Sequence, residues 1–119
     1  MLYSVLIYDS EAEVGALSPE KLDELIGRHE QVQGKLAAEG KLGPVVRLMP
    51  TTSARTLKQG GEMAIVDGPF AETKEQLLGF YIVDCATAGE AMEAARLIGS
   101  ACNARTLEVR PVHLYYPNK

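Results

Sequence analysis

The sequence has little sulfur to work with: two cysteines, Cys85 and Cys102, in 119 residues. Two cysteines make neither a disulfide framework nor a zinc knuckle, so two reduced structural thiols in a cytoplasmic chain are expected. No stretch approaches the ~18 apolar residues that a membrane span needs. The start, Met1 to Asp9, has no basic residues and no small-residue cleavage site, so a signal peptide is not expected. Basic charge is not in excess either. The net charge of -4 argues against a general nucleic-acid binder, which needs a surplus of Lys and Arg for phosphates. No repeat, linker or low-complexity tract interrupts the chain. A single globular domain spanning 1–119 is the reading.

Charge is unevenly placed. Residues 1–40 hold eight acids and three bases, net -5; residues 41–119 hold eight acids and nine bases, net +1. Asp9, Glu11 and Glu13 form one acidic group, and Glu20, Asp23 and Glu24 another. The second lies where a helix begins and complements its dipole. A solvated face accounts for such charge more simply than a steering field for a cationic ligand.

Residues 2–8 are apolar on both alternating sets, as in a central strand covered on both faces. Asp9 to Leu17 reads as a polar loop. Ser18-Pro19-Glu20 is a helix start, with Ser as N-cap and Pro at the first position. Leu22, Leu25, Ile26, His29, Val32 and Leu36 then draw one stripe down about 20 residues, closed by Gly40. Gly43-Pro44 breaks the chain before a short strand at 45–48. Residues 52–58 and 62–66 form a hairpin around Gln59-Gly60-Gly61. Leu78 to Cys85 is a buried strand. Thr87 and Glu90 form a capping box. It opens a helix with the stripe Ala91, Met92, Ala95 and Ile98 and the cap Gly99. Thr106 to Val112 is the last strand.

That order is the α+β ferredoxin-like βαββαβ plan with an extra β-hairpin. Two helices cover one face of the sheet. Leu6, Tyr8, Phe80 and Ile82 are expected on the other, too apolar for water. A homodimer is expected to hide them.

The string Asp67-Gly68-Pro69-Phe70-Ala71-Glu72-Thr73-Lys74-Glu75-Gln76-Leu77, followed by Gly79-Phe80-Tyr81, resembles the signature of the DGPF subgroup of the YCII-related family. Leu6-Ile7-Tyr8-Asp9, Ser18-Pro19-Glu20, His29 and Glu108-Val109-Arg110-Pro111-Val112 are similar too. The resemblance covers almost the whole chain in order. It implies a dimeric α/β barrel of ferredoxin-like subunits, but no single activity. Related barrels include lactone isomerases, dehalogenases and haem-binding monooxygenases. Some relatives are encoded beside, or fused to, extracytoplasmic-function sigma factors. The resemblance also implies a histidine paired with an aspartate, at His29 and Asp67 here.

Each candidate has a structural alternative. His29 lies on an apolar helix stripe, where a histidine either satisfies a backbone carbonyl or serves as the acid/base nearest neutrality. Asp67 either fixes its own turn or orients an imidazole. No Ser or Cys sits in a nucleophile elbow to complete a triad. Arg110 projects away from Leu107 and Val109, either into an intersubunit salt bridge or onto a substrate carboxylate. Tyr8 shares that phase. Glu72 belongs either to a solvated loop or to a pocket. His29, Asp67, Glu72 and His113 have no metal-ligand spacing, and haem, flavin and phosphate-loop fingerprints are lacking, so no cofactor is expected. Two functions follow. One is a cofactor-independent acid/base enzyme, isomerase- or lyase-like, on a small polar or carboxylate-bearing molecule. His29 and Asp67 would be catalytic, and Arg110, Tyr8 and Glu72 substrate-binding. The other is a non-catalytic ligand-sensing or partner-binding dimer linked to sigma-factor regulation.

Overall fold

The computed structural model describes residues 1–60 and 64–117. Among these, six strands and three helices follow in the order β1 (Leu2–Asp9), α1 (Glu11–Gly15), α2 (Pro19–Ala38), β2 (Leu42–Arg47), β3 (Arg55–Lys58), β4 (Ala64–Asp67), β5 (Gln76–Asp84), α3 (Ala88–Cys102) and β6 (Thr106–Pro111), with a 3₁₀ turn at Thr51–Ser53. Four strands make an antiparallel sheet in the order β2-β5-β1-β6, and β3 pairs only with β4. With the hairpin set aside, this is the strand order of the ferredoxin-like plan.

The alternation of β1 and β5 builds the core. Tyr3, Val5, Ile7, Tyr81 and Val83 turn to one side and are buried there with Val32 and Leu36 of α2 and Ala91, Ala94, Ala95 and Ile98 of α3. On the other side, Leu6 stands opposite Phe80 and Ser4 opposite Ile82, and all four are half-buried. The expected split of the sheet into a helix-covered and a bare face is therefore present within the chain.

Helix ends follow local chemistry. The Ser18 hydroxyl accepts from the Lys21 amide, and Gly40 supplies the positive φ of 71° just past α2. Thr87 and Glu90 make the reciprocal capping box of α3. Four local expectations need correction. Residues 11–15 are a short helix, because the Ser10 hydroxyl caps the Glu13 amide. Gly43-Pro44 lies inside β2; the register shift between Leu42 and Val45 absorbs it, and Gly43 passes so close to β5 that a Cβ would lie 2.6 Å from the Ile82 carbonyl oxygen. Gly99 does not end α3, which runs on until Asn103 takes the left-handed conformation at φ 53°. Met92 is 46% exposed, and Ala94 takes its place in the buried stripe. Gly61, Glu62 and Met63, expected in the hairpin, lie outside the described residues.

Candidate functional site

His29 rides on the middle of α2, on the stripe that ends in buried Val32 and Leu36. That stripe points its ring at β5. The Nδ1 atom lies 2.7 Å from the Tyr81 hydroxyl, and the two rings stack with centroids 5.9 Å apart. One turn further along α2, the Gln33 amide donates to the same hydroxyl at 3.4 Å. Tyr81 is 1% exposed, so its hydroxyl needs these partners. That oxygen has a proton of its own and a second lone pair, so toward Nδ1 it donates to one ring tautomer or accepts from the other.

Burial holds the His29 pKa below the usual histidine value, and the positive charges of Arg47 and Arg28 lower it further. Alternation places Arg47 on the helix-facing side, as it pairs with Gly79, two residues before Tyr81. Burial sets the direction, and the two arginine charges act in the same sense. Burial also pushes the Tyr81 phenol up, so it stays protonated. The result is a neutral imidazole with one nitrogen committed to a tyrosine and cationic groups around it.

The other candidates lie elsewhere. Asp67 ends β4, its side chain is 95% exposed, and it pairs with Arg55 across the hairpin at 3.7 Å. Among the described residues no hydrogen bond or ion pair joins it to His29, and it does not bond into its own turn. Arg110 stands opposite Ser4 on the bare sheet face, as expected, but its acid partner is Glu108 of the same strand at 2.6 Å. Tyr8 stands opposite Thr106, which is in phase with Glu108 and Arg110, so Tyr8 and Arg110 share that face. The sheet thus separates Tyr8 and Arg110 from His29. Glu72 lines a third place, a cleft of about 350 Å³ bounded by Thr51, Gly68, Pro69, Thr73 and Gln76. The first acidic group holds that end of the molecule together. Glu11 accepts from the amide and hydroxyl of Thr51, its own amide donates to Gln76, and Glu13 pairs with Arg105 at 2.5 Å. No group of three or more His, Cys, Asp or Glu among the described residues could hold a metal ion.

Sequence reasoning missed Tyr81, Gln33 and Arg47. Tyr81 belongs to an apolar strand, and its phase with Val83 was the available signal that it faces the helix carrying His29. Gln33 is four residues from His29 and shares its face.

The comparisons with known proteins name a family and no reaction. The model of the YCII-related domain matches residues 1–114. An uncharacterized protein of Rhizobium meliloti (strain 1021) is 49% identical over 121 residues, covering 100% of this chain and 98% of the relative. With a domain match over nearly its whole length and a relative this similar from end to end, the chain belongs to the YCII-related family.

Proposed function

We propose that this domain is a cofactor-independent acid/base catalyst, isomerase- or lyase-like, that acts on a small carboxylate-bearing molecule at His29. The observation that carries the reading is the 2.7 Å contact between His29 Nδ1 and the buried Tyr81 hydroxyl. A tyrosine hydroxyl donates or accepts, so it serves either ring tautomer. When it donates to Nδ1, the ring offers Nε2–H to a carbonyl or carboxylate oxygen and polarises it. When it accepts from Nδ1–H, Nε2 is a free base that takes a proton from the substrate. A lowered pKa keeps the ring neutral near pH 7, the state that can accept that proton. Arg47 is the anion anchor in this reading, since its charge already bears on the ring. Tyr81 takes the orienting role expected of Asp67. Tyr8 and Arg110 belong to the bare sheet face, and Glu72 to its own cleft.

In the same reading the chain is a homodimer, with two bare sheet faces meeting as an α/β barrel. The half-buried Leu6, Phe80 and Ile82 support this, as no helix among the described residues covers them. The free thiols of Cys85 and Cys102 favour a cytoplasmic setting. Among the described residues no helix is long and apolar enough to cross a membrane.

Proton abstraction leaves a signature that can be read without first identifying the substrate. The protein in D₂O, given a panel of small oxo- and hydroxy-carboxylates, is expected to wash deuterium into the carbon next to the carbonyl of at least one. His29→Gln is expected to slow that exchange by about 100-fold or more. Saturable binding of a carboxylate with no exchange, unchanged in His29→Gln, overturns the catalytic reading. It would leave the non-catalytic sensor linked to a sigma factor.

A further inference from the structure

Most arginines of this chain are matched to an acid. Among the described residues, Arg55 meets Asp67, Arg96 meets Glu93, Arg105 meets Asp9 and Glu13, and Arg110 meets Glu108. The two other arginines of the sequence are Arg28 and Arg47. Neither forms an ion pair among the described residues, although the chain has 16 acids for 12 Lys and Arg. Glu24 even stands four residues before Arg28, the spacing of a helical ion pair, and the pair does not form. A shortage of acids therefore does not explain the two exceptions.

Both exceptions flank His29. Arg47 stands on β2 opposite Gly79, on the side of the sheet where Tyr81 lies. Arg28 precedes His29 on α2, and its Nε donates to the Ala101 carbonyl at 2.6 Å. That bond holds the guanidinium at the C-terminal end of α3, where Ala101 and Cys102 pack against the core that contains Tyr81. A guanidinium carries five N–H donors, and Nε spends one of them here. The Nη groups of Arg28 make no hydrogen bond among the described residues. The helix that carries His29 packs against both α3 and β2. Arg28 thus comes to the ring from the α3 side and Arg47 from the β2 side, and both charges bear on it.

Two unmatched cations on either side of one neutral imidazole call for two anionic groups. A single carboxylate on Arg47 would leave Arg28 unmatched beside the same half-buried ring. A molecule with a carboxylate at each end matches both, and holds the carbon between them against the imidazole. Each guanidinium fork fits a carboxylate edge to edge. Phosphate carries its charges on one centre and does not span the ring.

We propose that the His29 site takes a small dicarboxylate, with one carboxylate on Arg47 and the other on Arg28. The proposal rests on the acid/base reading of this site and goes beyond it by naming a dianion and its second anchor. The test follows the His29 ring resonances of the full chain at pH 7.5 during titration with succinate, glutarate, adipate, butyrate or inorganic phosphate. At least one of the three dicarboxylates is expected to bind about tenfold more tightly than butyrate, through one further charge-assisted contact. Arg28→Gln and Arg47→Gln are each expected to bring that ligand to the butyrate level. Both arginines are exposed, so the fold is expected to survive either change. Arg96→Gln, on an arginine already paired with Glu93, is expected to leave the preference intact. Dicarboxylates no tighter than butyrate, or a preference that Arg28→Gln leaves unchanged, overturn the second anchor and leave the monocarboxylate reading standing. Phosphate that binds as tightly as the best dicarboxylate overturns the dicarboxylate assignment. If none of these anions perturbs the His29 ring, both the proposal and the carboxylate reading beneath it fall.

Discussion

His29 and Tyr81 are 52 positions apart in sequence and 2.7 Å apart at their polar atoms. That contact decides the chemistry of the site, and it makes stability depend on pH. Burial and two arginines hold the folded His29 pKa below its value of about 6.5 in an unfolded chain. Between those two values the unfolded chain binds the proton and the folded one does not. Stability therefore rises with pH through that window and falls as pH drops below about 6.5. Urea midpoints measured from pH 7.5 to 5.5 are expected to fall on acidification, and less steeply in His29→Gln. An equal slope in the variant would mean that other groups set the dependence. Nothing in the residue order hints at this sign. Helical spacing is visible within one segment, so the stripe that turns His29 toward the sheet was legible. The ring's partner comes from another segment, and the aspartate expected from the resemblance stands elsewhere: Asp67 ends β4 at the base of the hairpin, paired with Arg55.

Elements were legible where their signals are local. Ser18-Pro19 and Thr87–Glu90 mark α2 and α3 because a cap is chemistry between residues three apart. The five-residue α1 is too short to show a period, and β2 continues through Gly43-Pro44 only because β5 supplies its hydrogen bonds. Glycines make the same distinction between local and tertiary causes. A Cβ added at Gly79 would fall onto the Val46 carbonyl oxygen, a backbone atom of the paired strand that cannot turn aside. Gly34, inside α2, has nothing within 4 Å of such a Cβ. Gly79→Ala is expected to destabilise by about 3 kcal/mol or more through displaced pairing of β2 and β5. Gly34→Ala is expected to stabilise by roughly 0.5–1 kcal/mol through helix propensity. Chemical denaturation of the two variants reads both signs. A mild Gly79→Ala would show that β2 can shift along its partner.

For the whole molecule, the chain is two structures of unequal self-sufficiency. The four-stranded sheet has two long helices on one face and a shared core, whereas the hairpin has its own ladder and little else. The order of elements revealed the first, since each strand and helix carries its own pattern. It also revealed that a hairpin exists, but not that it leaves the body, because separation is a lack of contacts and leaves no mark on local spacing. Local stability follows packing, so amides of Arg55–Lys58 and Ala64–Asp67 depend on whatever covers the arm. If a second copy covers it, their protection is set by mass action and rises with protein concentration. Hydrogen exchange at two concentrations, one below and one well above the dimer dissociation constant, is expected to slow those amides at the higher one. Amides joining β1 to β5 are expected to exchange at the same slow rate in both, since their ladder and core lie within one chain. Fast exchange of the hairpin at both concentrations would mean that the dimer forms without the arm. Slow exchange at both would mean that the hairpin is stable alone, against the expectation for two strands in water.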